Sequence, residues 1–383
     1  MAGVSNETHR LAPFLTKDFR QFDLKFPHFR QPEEIGYFSL DINREFSISK
    51  QQLKYFIKPS DLNNVCFDLK KRYSDMVKKD ESKSEKIDNL LKWINGNRDK
   101  FVLKASKELV ADDISSNRDL HTDFICWRGL LTKILCTPYE NRDDWKIAVT
   151  RYNGTYYLCE YNTEAKIAQT AKLTERDKEI CCWGWKFEQY LTADTKDAKP
   201  NTDTPFNNCE EFGTVVRSRL NSHSLVFAGE VDAIDTTGKK PHYVEFKTTR
   251  DFTHQKQLIS FKRFKLIKWW AQSFLIGIPE VICGYRDDDG VVHRLESFNT
   301  NTIPSMTKDL YNPWLPNVCF NFLDQFLSFI KDTVTEDDYR LVHLLEWMPG
   351  KDVLCTRLGR DSQYQFLPDW YTNQQEPAIK HTV

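Results

Sequence analysis

The sequence predicts a single α+β domain, and three observations carry that reading. Apolar residues recur at helical spacing on both sides of the chain's middle, the middle itself reads as strands broken by turn residues, and no Pro/Gly/Ser linker or internal repeat divides it. At 383 residues the chain can bury a sizeable core as one large domain or two ordinary ones, so size does not limit stability.

Residues 1–35 are rich in Phe, Pro and charge without periodicity, which predicts an extended lead-in packed on the body, with residues 36–383 forming the domain itself. From Lys83 to Asn95 the spacing of Ile87, Leu90, Leu91 and Ile94 is that of an amphipathic helix, with Gly96 as its stop signal. The segments WKIAVTRY and TYYLCEY flank Asn153-Gly154, the dipeptide that best supplies the two positive φ angles of a type I′ turn, so a hairpin spans Trp145 to Tyr161. Strand-like runs follow at 212–220, 225–234 and 242–248, and a second strand pair, VICGYR and VVHRLESF, flanks the Asp-rich turn ending in Gly290. Between Phe261 and Ile276 the positions Phe264, Ile267, Trp270 and Phe274 predict a helix closed by Gly277 and Pro279. A further apolar helix is predicted near 318–333.

Composition narrows the class. Aromatic residues make up 13% and charged residues 28%, a globular mixture that excludes disorder of the whole chain. A formal charge of −1 carries no global basic signal, so any nucleic-acid contact has to come from a local cluster of Lys and Arg. The ten cysteines are scattered, only Cys181 and Cys182 are adjacent, and no C-x-x-C spacing suggests zinc or a redox dithiol; free, mostly buried thiols are expected. The opening MAGVSNETHRLAPF lacks the apolar region of a signal peptide, and no run of eighteen apolar residues occurs. These features predict a soluble protein of a reducing compartment, cytosol or nucleus, with no membrane partner.

The chemistry concentrates in GEVDAID followed by YVEFK. Strand side chains alternate faces, so Glu230 and Asp232 share one side of their strand, as do Glu245 and Lys247 of theirs. If the two strands lie side by side across the Asp235–Pro241 turn, three carboxylates and an ammonium converge. Like charges that close repel unless cations neutralise them, and hard oxygen donors at this density suit Mg²⁺ or Mn²⁺. Two ions about 3.5–4 Å apart could activate water and stabilise a leaving oxygen. Lys247 would then face the scissile phosphate or the attacking water. The spacing is the D…E-x-K pattern of a large nuclease group, weak as a motif on its own. The plainer reading is a solvated, charge-bearing strand face. Against it stands the continuous apolar run Leu225-Val226-Phe227, typical of a strand covered on both sides, from which carboxylates emerge only for a reason.

Three other segments add candidates. GWKFE offers Glu188 as a fourth carboxylate. WRGLLTKILCTPYE places Arg128 between Trp127 and Gly129, where its planar fork could clamp phosphate or serve as a surface ion-pair partner. In KLIKWWAQSFLIG, Lys268 and Gln272 share a helix face, while Trp269 and Trp270 read as core or rim, with base stacking as the other reading.

With IGYFSLDINREF, LVHLLEW and FLPDWY added to these segments, the chain strongly resembles the DXO family of eukaryotic decapping exoribonucleases, close to its animal members, over roughly nine tenths of its length. The resemblance implies one α+β domain around two twisted mixed β-sheets flanked by helices. It implies hydrolysis of RNA 5′ ends (unmethylated or incomplete caps, nicotinamide-dinucleotide caps, triphosphates) and 5′-3′ degradation of monophosphate RNA. Mapped residue by residue, the Mg²⁺ or Mn²⁺ ligands for two ions would be Glu188, Glu230, Asp232, Glu245 and the carbonyl of Phe246. Lys247 and Gln272 would position water or the scissile phosphate, and Arg128, flanked by Trp127 and Gly129, would hold substrate phosphate. Arg44 in the DINR segment and Glu85 on the predicted first helix match substrate contacts. Two positions depart from the family pattern: Phe246 varies, but contributes only its carbonyl, and Gly213 stands where some relatives carry a larger side chain beside the substrate.

Two rival functions follow from the same residues: another D…E-x-K nuclease acting on DNA, or a non-catalytic partner that activates a separate nuclear 5′-3′ exoribonuclease, as fungal relatives of the family activate one. Lys70-Lys71-Arg72 is too short to serve as a nuclear signal, so a nuclear location, with cytoplasm as a second, is expected from the family alone; a monomer is the default expectation.

Overall fold

The computed structural model describes residues 8–101 and 119–373. Two mixed sheets organise them. The larger has ten strands in the order His9–Arg10, Leu354–Arg357, His343–Trp347, Trp145–Tyr152, Thr155–Tyr161, Phe124–Trp127, His223–Glu230, Glu211–Leu220, Glu33–Leu40, Phe46–Ser47. The smaller has seven: Phe67–Asp68, Val291–Asn299, Glu280–Arg286, His242–Arg250, Ala233–Asp235, Tyr55–Phe56, Thr192–Ala193. Most pairings are antiparallel, but Phe124–Trp127 runs parallel to both of its neighbours and His242–Arg250 runs parallel to Glu280–Arg286.

The predicted hairpin is present: Trp145–Tyr152 and Thr155–Tyr161 are joined by Asn153 at φ 47° and Gly154 at φ 77°, the left-handed conformations that Asn and Gly adopt at least cost. The second predicted pair forms Glu280–Arg286 and Val291–Asn299. The helix expected near 318–333 is Pro316–Thr333, with proline in its first turn, where the missing N–H would have no partner anyway.

Three expectations need correction. The run 225–234 is not one strand: His223–Glu230 belongs to the ten-stranded sheet and Ala233–Asp235 to the seven-stranded one. The chain crosses between sheets at Val231-Asp232, where the buried Val231 donates its N–H to the Phe212 carbonyl at 2.9 Å. Apolar pattern reports burial but not which sheet a residue joins, so the break was invisible in it. The first helix is Asp88–Gly96, shorter than Lys83–Asn95, because Lys86 takes φ 45° and interrupts any helix before it. Ile87, Leu90, Leu91 and Ile94 are nonetheless all buried, and Glu85 lies in the turn ahead of the helix rather than on it. The segment predicted from Phe261 starts earlier, as a helix over Gln255–Ser260, passes through a π-helical turn at Phe261–Lys265, and continues as Leu266–Ile276 to a left-handed Gly277 at φ 80°. The π-turn adds residues per turn and shifts the apolar phase, so Leu266 and Trp269 are buried while Phe264 is only half-buried.

The main core fills the space between one face of the ten-stranded sheet and the helices Arg128–Cys136, Leu266–Ile276 and Pro316–Thr333, joining Phe227, Leu131, Trp270 and Phe322. Its other face is covered by the Asp88–Gly96 helix through Trp93, beside Val226 and Phe38. Adjacent residues Val226 and Phe227 thus point into different cores, which is why their strand has no polar alternation until Glu230. Each such side chain, fully buried, contributes roughly 1.5–3 kcal/mol. The Glu175–Leu191 helix starts at a Thr174–Asp177 capping box and packs Trp183, Phe187 and Leu191 against Phe246 of the smaller sheet, bringing Glu188 with them. All ten cysteines are free thiols and eight are buried. Among the described residues, no helix is long and apolar enough to cross a membrane.

Candidate active site

The seam between the two sheets collects the charged residues. Glu230 ends its strand opposite Gly213 of Glu211–Leu220. Asp232, just beyond the crossing, accepts the Phe246 N–H at 2.6 Å, which lays it beside the Glu245-Phe246-Lys247 strand. Glu188 reaches the same place from the helix above. The charges register one another: burial raises the pKa of Glu230 to about 8, helped by Glu211, Asp232 and Glu245. Burial raises Asp232 to about 7, Glu245 adding to it while Lys247 opposes. Glu188 is likewise pushed up, by burial and then by Asp232 and Glu230. Lys247 is held above the usual lysine range: burial works against its charge, and Glu245 and Asp232 outweigh it.

Glu245 is the best-positioned carboxylate. Only 1% exposed, it takes the Gln272 amide on Oε1 at 2.6 Å and the Lys247 ammonium on the same oxygen. Its Oε2 is buried without a hydrogen-bond partner, 3.7 Å from Arg128 Nη1. A buried, fixed carboxylate oxygen without a hydrogen bond, among acids that burial and mutual repulsion push toward neutrality, is the arrangement a hard divalent cation resolves. The residues present therefore fit Mg²⁺ or Mn²⁺.

Arg128 is turned inward. It is 6% exposed, donating from Nη1 to the Gln272 carbonyl at 3.2 Å and from Nη2 to the Glu230 carbonyl at 3.1 Å. Trp127, at the N-cap of the Arg128–Cys136 helix, donates its indole N–H to the Lys86 carbonyl at 2.7 Å, and Gly129 in the first turn faces open space. Lys268 and Gln272 part company despite sharing a face: the Lys268 ammonium pairs with Glu140 at 2.7 Å, while Gln272 serves Glu245. Trp269 and Trp270 are buried in the main core, so neither of these rings is free for base stacking.

A second polar cluster borders the first. Arg44, in the left-handed region at φ 65°, grips Glu85 from Nε at 2.8 Å and from Nη2, and donates from Nη1 to the Cys209 carbonyl at 2.7 Å. It also pairs with Glu211 at 2.8 Å. Lys79 completes the set, 3.0 Å from Glu85. Burial alone would raise Glu85, but the hydrogen bonds from Arg44 and Lys79 prevail and hold it at about 2. The sequence reading missed Glu211 and Lys79. Glu211, two residues before Gly213 and close enough to disturb Glu230, carries no spacing signal; only the antiparallel register brings it here. At Gly213 a Cβ would sit 2.4 Å from Phe38 Cζ, so the Phe38 ring, packed 6.2 Å from Trp127, fills the volume that a larger residue would take.

Comparison with known proteins shows what the chain is similar to. The family model described as RAI1 like PD-(D/E)XK nuclease matches residues 30–372. The chain is 40% identical over 359 residues to a Xenopus laevis protein named decapping and exoribonuclease protein, covering 91% of this chain and 87% of that one. In fold it is similar to Candida albicans Rai1, solved in complex with pU5-Mn²⁺, at TM-score 0.75 and 23% identity, with 91% of this chain and 95% of that one covered. It is also similar to Scheffersomyces stipitis Rai1, solved with (3′-NADP)⁺ and calcium ion, at TM-score 0.71 and 24% identity, covering 87% and 91%.

Proposed function

Since the chain belongs to the RAI1-like PD-(D/E)XK nuclease family, we propose that it is a metal-dependent hydrolase of RNA 5′ ends. It removes incomplete or unmethylated caps, NAD caps and 5′ pyrophosphate, and degrades RNA 5′ to 3′, in 5′-end quality control. The observation that carries this is the convergence of Glu188, Glu230, Asp232, Glu245 and Lys247 at one seam, with Glu245 Oε2 buried and without a hydrogen bond. The name of the Xenopus laevis relative supports the substrate class, and the pU5 and (3′-NADP)⁺ complexes of the fungal neighbours are consistent with it.

Glu188, Glu230, Asp232, Glu245 and the carbonyl of Phe246 would hold two Mg²⁺ or Mn²⁺ ions. Bound there, such ions lower the pKa of water and offset charge on phosphoryl oxygens. The chain's own residues supply the rest. Lys247, kept protonated by Glu245 and Asp232, places a fixed positive charge at the scissile phosphate or the attacking water. Gln272 holds Glu245 through Oε1, and Arg128 ties the end of the strand that carries Glu230 to the helix that carries Gln272 while adding a second positive charge within reach of substrate phosphate. Arg44 and Glu85 line the approach beside Glu211, with Trp127 and Gly129 at the helix start. An RNA backbone read through phosphate and 2′-OH contacts gives low sequence specificity.

Residues 36–383 would form one catalytic domain with 1–35 as its lead-in, a monomer acting in the nucleus, with cytoplasm as a second location. A nuclear 5′-3′ exoribonuclease is its expected protein partner, testable by pull-down from nuclear extract. The functional test is a single-turnover assay in Mg²⁺ or Mn²⁺ on one RNA bearing, in separate tubes, an unmethylated cap, an NAD cap, a triphosphate and a monophosphate. Release of intact cap or pyrophosphate supports the proposal. No metal-dependent product from any RNA favours the non-catalytic partner, and cleavage of deoxy substrates without use of capped ends favours a DNA nuclease.

A further inference from the structure

At the turn joining the Ala233–Asp235 and His242–Arg250 strands, a second set of donors converges that the reaction above does not use. Asp235 and His242 are direct partners across the Ala233–Asp235 and His242–Arg250 strands, and Glu280 opens the next strand of the sheet. One donor atom from each lies within 4.8 Å of the others. The two carboxylates are already held by their other ends. Asp235 Oδ1 accepts both the N–H and the hydroxyl of Thr237 at 2.7 Å, and Glu280 Oε1 accepts the Ser297 hydroxyl. His242 Nδ1 points toward the Lys240 carbonyl at 3.5 Å, while Nε2 stands 3.1 Å from Glu280 Oε2. Outer hydrogen bonds of this kind orient ligands at metal sites, and the hydrogen bond between His242 Nε2 and Glu280 Oε2 is the contact that an ion would replace.

Electrostatics favours an occupant. Asp235 is buried, and among the described residues neither it nor Glu280 is ion-paired with a Lys or Arg; the ion pair that Glu280 makes is with His242. A charged His242 would answer one carboxylate and leave the buried Asp235 without a counter-charge, whereas a divalent cation answers both. One imidazole nitrogen with two carboxylate oxygens suits a borderline ion such as Zn²⁺ over Mg²⁺, which prefers oxygen alone.

We propose that Asp235, His242 and Glu280 form a second divalent-cation site, selective for Zn²⁺, distinct from the catalytic carboxylates. Its position gives it a consequence. Asp235 lies three residues from Asp232 and His242 three from Glu245, so the ion pins the hairpin from which two catalytic acids project.

The test uses the full chain carrying Glu230→Ala and Asp232→Ala, so that the catalytic seam is disabled, with Zn²⁺ alone as titrant. Calorimetry should show one equivalent bound and thermal unfolding a rise in Tm, and an excess of Mg²⁺ should displace neither. Adding His242→Gln or Glu280→Gln should weaken Zn²⁺ by at least about tenfold without lowering the metal-free Tm, since both residues are partly exposed. Anomalous diffraction at the zinc edge should place the ion among the three side chains. Binding that His242→Gln leaves unchanged, no binding, or an anomalous peak elsewhere overturns the proposal.

Discussion

Arg128 holds the main-chain carbonyl of Glu230 through Nη2 at 3.1 Å, and its Nη1 reaches the carbonyl of Gln272 at 3.2 Å. One buried guanidinium thus locks the end of the strand bearing Glu230 to the helix bearing Gln272. An ammonium is a point donor and cannot span both carbonyls. Arg128→Lys should therefore cost about 1–3 kcal/mol of stability and slow single-turnover hydrolysis by more than about tenfold, read by chemical denaturation and quench kinetics. Stability and rate both at wild-type level would show that the bridge does not hold the site.

Without metal, the seam is a defect. Glu188, Glu230, Asp232 and Glu245 face one another with Lys247 and Arg128 as the nearby cations. Removing one negative charge at constant shape, Glu230→Gln, should raise the Tm measured in EDTA above that of the wild type. Adding Mn²⁺ should raise the wild-type Tm, because a ligand that binds only the folded state stabilises it, and should do less for the variant. A variant less stable than the wild type in EDTA would contradict the reading.

Glu85 gives a pH test away from the metal ligands. Burial would raise its pKa, but Arg44 and Lys79 hold it at about 2, below the ordinary glutamate value of 4.5. A carboxyl depressed in the folded state adds stability that is present above its unfolded pKa and lost as pH falls toward the folded one. The wild type should lose of order 1 kcal/mol between about pH 4.5 and pH 2, after allowance for solvent screening of a partly exposed pair. Glu85→Gln should flatten that part of the stability curve; an unchanged slope would mean that the Arg44 pair contributes nothing.

Gly213 and Phe38 make a coupled pair. A Cβ at 213 would meet the Phe38 ring at 2.4 Å, so Gly213→Val should destabilise by about 1–3 kcal/mol through overpacking. Combining it with Phe38→Leu should recover part of the loss, a non-additivity that a double-mutant cycle by denaturant titration measures. Additive effects would show that the ring does not fill this volume.

Much of the fold was legible because burial and turn chemistry are local. Asn153-Gly154 specified its hairpin, Gly277 its helix end, and Leu225–Phe227 a strand covered on both sides. The sequence also showed Glu230, Asp232, Glu245 and Lys247 as a group. It misled where tertiary structure decides: Glu230 and Asp232 share a site because the chain changes sheets between them, not because they share a strand face. Positive φ at Lys86 shortened a helix whose apolar spacing was sound, and the π-turn at Phe261–Lys265 shifted a phase that a strict 3.6 period assumes. Glu211 was illegible because strand pairing, which sets Gly213 opposite Glu230, and not a motif, brings it near Glu230.

The most direct test of the central claim is single-turnover hydrolysis of an NAD-capped RNA in Mn²⁺ by the wild type and by the Glu230→Ala, Asp232→Ala double variant, each first shown folded by circular dichroism. The carboxylate site predicts metal-dependent release of the intact dinucleotide portion by the wild type and a rate lower by several orders of magnitude in the variant. Retained activity in the folded variant would place the chemistry elsewhere in the chain.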